Sequence, residues 1–314
     1  MSATRALLIG SRGLLGKALS RELRRRGIDT LCPKVRWHDP ASTDDLERAF
    51  EALIEPRAPW AVYWAAGAGV TQTPQSDFDE EVAIVSAFVD FIARARAAAP
   101  GTFFFASSAG ATYAGSKNPP FTEATVPQPL APYGRTKLAL EQIVGRLSGA
   151  GTRVAIGRIA NLYGPGQNLA KPQGLISQLC LSLVTNRPLS VYVPMDTLRD
   201  YIYVDDAANM IVDFVQAVEG RQPGVEVTKI IASGQAISIA KVLGELRLIA
   251  RRRPPLILAA SQFSAAQARD LRMRSTVLPE VDSRTLTPFP VGFAETLADV
   301  RLRTLSRTSS ARQL

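Results

Sequence analysis

At 314 residues the chain exceeds the ~100–200 residues usual for one domain, so one large α/β unit or two intimate domains are expected. With 46% hydrophobic and 21% charged residues it is neither disordered throughout, collagen-like nor a coiled coil. Two cysteines, Cys32 and Cys180, and a solitary histidine, His38, exclude a disulfide framework and a His/Cys zinc cluster, and no metal site is expected. The net charge of +9 invites a nucleic-acid reading, but much of the excess sits in local runs, Arg24 to Arg26, Arg251 to Arg253 and Arg301 to Arg312. Solvated helix ends and a frayed tail account for those runs. No nucleic acid is expected as a partner, since no basic strand interleaves aromatics.

The apolar run Ala6–Ile9 ends at Gly10, which suits a buried parallel strand. Lys17 to Arg26 then places Ala18, Leu19 and Leu23 on one helical face. A second strand is predicted at 30–32, a helix from Asp44 to Ile54, a strand at 61–64, a helix from about Asp79 to Ala98 and a strand at 102–106. Helix 133–147 and strand 154–158 follow, then prolines at 172, 188 and 194 break the pattern. Residues 1–170 are therefore expected to form a doubly wound parallel sheet, and 171–302 mostly a smaller substrate-binding region. A helix and strand near 200–235 are expected to rejoin the sheet. From Arg303 to Leu314 the polar, basic composition reads as a disordered tail. The start lacks the apolar core of a signal peptide, and the longest uncharged apolar stretch, Ala58–Val70, is too short to span a bilayer. A cytoplasmic protein without membrane contact is expected.

A glycine turn between strand and helix offers backbone N–H groups and the positive end of a helix dipole to an anion. The loop Gly10-Ser11-Arg12-Gly13-Leu14-Leu15-Gly16 differs by one residue in its glycine spacing from the usual dinucleotide fingerprint. In that arrangement an acid ~20 residues on takes the ribose of NAD, whereas a basic group accommodates the 2′-phosphate of NADP. Around Pro33-Lys34 no acid stands. Lys34, Arg36 and Arg12 are available instead, so NADP is preferred and NAD remains possible. Alternatively Lys34 and Arg36 are solvated loop charges, and Asp39 contacts the adenosine without choosing a cofactor.

Tyr133 and Lys137 stand at i and i+4, on one face of their helix. Making a phenol acidic enough for proton transfer requires a shift of about three pH units, or ~4 kcal/mol. One cation at ~4 Å supplies that order of energy. The strand at 102–106 runs into Ser107-Ser108, where a hydroxyl would hold a substrate oxygen at the carboxyl end of the sheet.

Together these segments resemble the extended short-chain dehydrogenase/reductase family, its nucleotide-sugar epimerase, dehydratase and reductase group. The likeness rests on the glycine loop, on Ala65-Ala66-Gly67 after Trp64, on Ser107-Ser108 before Tyr113, and on Pro132 to Lys137. Arg158 to Gln167 and Arg199 to Asp206 are similar to two further family signatures. It implies a Rossmann-type fold, Tyr133 and Lys137 as catalytic residues, Ala65 to Gly67 beside the cofactor, and Asn161 and Arg199 on a substrate diphosphate. It also implies a homodimer through the helices at 79–98 and 133–147, with Val82, Val85, Phe88 and Val89 as dimer face or as core.

Three positions depart from the family pattern, and one of them narrows the activity. Ala109 occupies the usual hydroxyl position, so Ser108, or else Ser107, must replace it. Gly110 and Ala111 stand where sugar dehydratases carry an acidic pair, which disfavours dehydration. Glu80 and Glu81 stand near where an Asn is common. Two activities survive: an NADPH-dependent ketoreductase on an anionic, nucleotide-linked keto-sugar, which is preferred, and a nucleotide-sugar 4-epimerase with bound NAD. A non-catalytic NADP-binding regulator is a more distant third.

Overall fold

Phe103, Phe104 and Phe105 follow one another in sequence and none is exposed. Because strand side chains alternate in direction, Phe103 and Phe105 pack to one side of the sheet and Phe104 to the other. A strand buried on both faces needs such an unbroken apolar run, and each ring contributes about 2 kcal/mol of burial.

The computed structural model describes residues 4–310 apart from 56, 68–74, 96, 172–173 and 260–267. Its first half alternates strand and helix: β1 (Arg5–Ile9), α1 (Leu14–Arg25), β2 (Thr30–Leu31), α2 (Ser42–Ile54), β3 (Trp60–Trp64), α3 (Gln75–Arg94) and β4 (Gly101–Ser108). The short α4 (Ala109–Thr112), α5 (Pro132–Gly149), β5 (Arg153–Ile159), β6 (Asn161–Tyr163) and α6 (Leu175–Thr185) come next. Then follow β7 (Leu189–Val191), β8 (Leu198–Tyr203), α7 (Val204–Glu219), β9 (Glu226–Ile231), β10 (Ala236–Ser238), α8 (Ile239–Ala250), β11 (Leu256–Leu258), β12 (Asp270–Leu271) and α9 (Phe289–Ser310). The stretch Ala58–Val70 passes beyond the described residues at 68. No helix among those described is long and apolar enough to cross a membrane.

The main sheet has the order β2-β1-β3-β4-β5-β9, parallel throughout. Its order reverses direction beside β1, the crevice where open α/β sheets bind ligands. Leu19 and Leu23 of α1 and Met210 and Phe214 of α7 cover one face, while Phe50 of α2, Phe88 of α3 and Leu140 of α5 cover the other. Val85, Phe88 and Val89 are thus core, and Val82 packs half-buried against the same cluster.

β8 departs from the main sheet and pairs with β6, β10 and β12, while β7 pairs with β11. A separate apolar cluster joins Leu179 of α6, Leu246 of α8 and Phe293 of α9 to Tyr163, Tyr201 and Tyr203. Residues 303–310, expected to be disordered, instead continue α9, and 311–314 lie outside the described residues. The reason is local: Leu297 and Val300 seat α9 in this cluster, and Arg303 bonds Asp299 one turn back and the carbonyl of Gln167. The first arginine run is also only partly solvated. Arg26 is 14% exposed and bridges Glu22 to Asp213 of α7.

Candidate active site

Gly10 has φ +87°, a backbone region that side chains oppose, and a Cβ there would lie 2.6 Å from the Ala66 nitrogen. A Cβ on Gly16 would lie 2.0 Å from the Gly10 carbonyl oxygen. These two glycines let the β1–α1 turn close against the Ala65–Gly67 segment, whose Ala65 N–H donates to Ile9 O at 2.9 Å. Gly13 begins α1 without any side-chain cap, and the first turn carries no acidic residue. The orphan N–H groups of that turn suit a pyrophosphate, so the loop Gly10, Arg12, Gly13, Leu14 and Gly16 fits a dinucleotide.

Past β2, the three residues proposed to meet the adenosine end have different surroundings. Arg36 is engaged by Asp45, with Nη2 to Oδ1 at 2.7 Å and Nε to Oδ2 at 2.9 Å. Asp39 accepts the Ala41 N–H and orders the turn into α2. Lys34 and Arg12 are exposed, and among the described residues neither forms an ion pair. Asp45 was not foreseen; the sequence offered only its place in the acidic first turn of a helix.

Pro132 at the first turn sets the start of α5, and Tyr133, Lys137 and Glu141 follow at successive turns on one side. The Tyr133 ring stacks on Phe78 of α3, with centroids 6.1 Å apart and planes at 29°. Lys137 is 4% exposed and its Nζ lies 5.8 Å from the Tyr133 ring centre and 5.1 Å from that of Phe105. Burial by itself would lower the Lys137 pKa. The Glu81 carboxylate, 3.1 Å away, and then Tyr133 overcome this and hold the ammonium above its ordinary value.

Ser107 and Ser108 point differently because they are successive strand residues. Ser107 donates to Glu141, which also takes a two-pronged pair of bonds from Arg158 in a buried network reaching the Tyr113 hydroxyl. Its hydroxyl is therefore committed beneath α5. Ser108 Oγ accepts the Ala111 N–H at 3.3 Å as the cap of α4, which leaves its own O–H to donate. Ala109 is fully buried and offers no hydroxyl, as the sequence states. The Glu141–Arg158–Tyr113 network is a structural unit that sequence reading missed. Its one visible signal was Glu141 following Lys137 by four positions.

Asn161 and Arg199 come together because β6 and β8 pair. Asn161 Nδ2 donates to Asp200 O at 2.8 Å, and Arg199 Nη1 donates to Leu198 O at 2.9 Å. Burial lowers the Arg199 pKa, and no carboxylate among the described residues bonds its guanidinium. Such a cation suits an anionic ligand. Among the described residues no group of three His, Cys, Asp or Glu could hold a metal.

A glycine turn opening a helix, a Tyr–Lys face at the mouth of a parallel sheet and a half-buried arginine on a second small sheet make up a Rossmann-type, doubly wound architecture. Residues 6–227 match the NAD dependent epimerase/dehydratase family, to which the chain belongs, and with it to the extended short-chain dehydrogenase/reductases. The chain is 34% identical over 123 residues, 38% of its length and 33% of the relative's, to the dTDP-L-rhamnose 4-epimerase of Burkholderia thailandensis. It is 31% identical over 143 residues, 44% of its length and 42% of the relative's, to the dTDP-4-dehydro-6-deoxyglucose reductase of Escherichia coli. These matches thus span less than half of either curated relative. The fold matches the UDP-glucose 4-epimerase of Thermus thermophilus in its complex with NAD, with TM-score 0.79 and 20% identity over 95% of this chain and 99% of that one.

Proposed function

We propose that the protein reduces a keto group on a nucleotide-linked sugar, with NADPH as the preferred reductant. The observation that carries this reading is the placement of Tyr133 and Lys137 on one face of α5, with Nζ 5.8 Å from the phenol ring. A dinucleotide held by the Gly10, Arg12, Gly13, Leu14 and Gly16 turn would supply hydride for the carbonyl carbon. Tyr133 delivers its hydroxyl proton to the carbonyl oxygen, so ketone becomes alcohol, and solvent later returns the proton. Lys137 holds positive charge beside the phenol where negative charge develops. Ser108 donates to the substrate oxygen and fixes its position. Arg199 and Asn161 take the diphosphate, and the charge of +9 draws such an anion in. Exposed Lys34 and Arg12 support the NADPH preference. A cytoplasmic homodimer completes the proposal.

A second reading, a 4-epimerase that retains NAD, is favoured by one observation. Arg36, a candidate for the 2′-phosphate, is already neutralised by Asp45. The test is to titrate the purified protein with NADPH and NADH by nicotinamide fluorescence, then to offer nucleotide-linked sugars and keto-sugars. Stoichiometric loss of reduced nicotinamide absorbance is expected for the reductase. Interconversion of sugar epimers with tightly held NAD and no net consumption would replace it by the second reading, and loss of neither kind would overturn both.

A further inference from the structure

Lys137 is enclosed on all sides that the structure describes. The Phe105 ring of β4 and the Tyr133 ring of α5 flank its Nζ, and Gly67, after β3, leaves just enough space beside it, since a Cβ there would lie 3.3 Å from Nζ and 3.5 Å from Glu81 Oε1. The remaining side is closed by Glu81 of α3, at 3.1 Å, and the two side chains are 5% and 11% exposed. A lone ammonium at this depth would tend to lose its proton, and a lone carboxylate would tend to gain one.

We propose that Glu81 is a positioning residue that fixes the Lys137 ammonium and, through its negative charge, opposes ionisation of the Tyr133 phenol, so that the site rests ready to deliver a proton. This rests on the reading of Tyr133 as the proton donor. An isolated ammonium one turn away would draw the phenol strongly toward phenolate. With a carboxylate on its far side, the ammonium acts on the phenol as one end of a pair whose net charge is zero, and its pull is reduced. A phenol that keeps its proton suits reduction, whereas a site that begins by removing a proton from an alcohol is better served by an uncompensated ammonium.

The other charges around the pair have partners of their own. Glu141, one turn further along α5, is held by Arg158 and Ser107. Glu80, the neighbour of Glu81 on α3, bonds His38 on the opposite side. Asp77 lies one turn before Glu81 and Asp79 two residues before it, with Asp79 accepting from Gln75 and Asp77 from Ser76. Glu81 is thus the one carboxylate bonded to Lys137 among the described residues.

The experiment is a pH titration of tyrosinate absorbance in the near ultraviolet, taken as the difference between a protein containing Tyr133 and its Tyr133→Phe counterpart. It needs neither cofactor nor sugar, so it is independent of which reaction is catalysed. In Glu81→Gln the Tyr133 signal is expected to appear about one pH unit lower than in the native chain, because a nearby negative charge has been removed at constant side-chain volume. Glu81→Asp, which keeps the charge, is expected to bring the midpoint back toward the native position. Coincident titrations for native and Glu81→Gln protein, or an upward displacement, would overturn the proposal. A fall in thermal stability with an unmoved titration would reduce Glu81 to a structural role and overturn it equally. Should Glu81→Gln not fold, Glu81→Ala takes its place: it also removes the charge, a downward displacement of the Tyr133 midpoint supports the proposal, and a midpoint identical to native sinks it. Undiminished turnover in Tyr133→Phe would instead remove the donor reading, and leave the titration result standing.

Discussion

Arg36 and Asp45 face each other as fork and carboxylate, joined by two hydrogen bonds of 2.7 and 2.9 Å across the turn that leaves β2. The Arg36 bonds, the backbone N–H among them, hold the Asp45 carboxyl well below the usual carboxylate range, and Arg48 adds a further bond. On the proposed placement of the cofactor, this pair would set how much positive charge its ribose end meets. In Asp45→Asn the guanidinium is released, and a charge-assisted contact with a 2′-phosphate becomes available. The ratio of NADPH to NADH affinity is expected to rise about tenfold, the order of effect of one added charge-assisted contact. Fluorescence titration of both nucleotides measures it. An unchanged ratio would show that Arg36 lies apart from the phosphate.

Tyr133→Phe removes one oxygen while the ring retains its stacking partner Phe78 at 6.1 Å. Turnover of the proposed sugar substrate is expected to fall by about a hundredfold or more, the usual contribution of a positioned acid. Dinucleotide affinity and melting temperature are expected to stay as they are. Steady-state kinetics alongside cofactor titration separates the two effects, and a variant with native turnover would exclude Tyr133 as the donor.

Much of this architecture is legible in the sequence. The strands were legible because a parallel sheet covered on both faces requires short, unbroken apolar runs such as Ala6 to Ile9, all fully buried. The glycine turn and the i, i+4 pair on α5 were legible because their spacing is local. What escaped was long-range. Glu81 and Lys137 are 56 positions apart, and Glu141 and Ser107 are 34 apart. No periodicity couples such positions; only the packing of α3 and α5 over β4 does. The end of α9 was misread for a similar reason, since its polar composition conceals that Leu297 and Val300 anchor the helix from one side.

Gly16→Ala tests the nucleotide turn by geometry alone. The added methyl would meet the Gly10 carbonyl oxygen at 2.0 Å and the Ser11 Cα at 2.8 Å, and both are backbone atoms that cannot rotate away. α1 must therefore shift from the turn, at a cost of about 1–3 kcal/mol. Dinucleotide affinity is expected to drop more than tenfold while the far-ultraviolet circular dichroism is retained. Native affinity in this variant would show that the turn does not carry the pyrophosphate.

The Glu141–Arg158 pair makes a different kind of claim, about stability. Both side chains are buried, with exposures of 7% and 10%, and Arg158 also donates to Tyr113 at 2.6 Å. Glu141→Leu would strand a buried guanidinium, and a loss of about 3 kcal/mol is expected in urea denaturation. Adding Arg158→Met should recover most of that loss, because the penalty comes from the unpaired charge rather than from missing contacts. If the double variant were no more stable than the single one, the network would be contributing through packing.

Glu219 gives the pH dependence a sign. It ends α7, where the helix dipole disfavours negative charge, and burial pushes its carboxyl up to about 7 from an ordinary 4.5, against a small opposing pull from Arg153. Because the folded chain holds this proton more tightly than the unfolded chain, the stability it contributes is complete below 4.5 and is lost as pH rises through about 7. Glu219→Gln cannot ionise, so it is expected to match the native protein under acidic conditions and to exceed it in melting temperature on the alkaline side of that window. Thermal melts across the window measure this divergence. Parallel curves for the two proteins would mean that Glu219 ionises in the fold as readily as it does in the open chain.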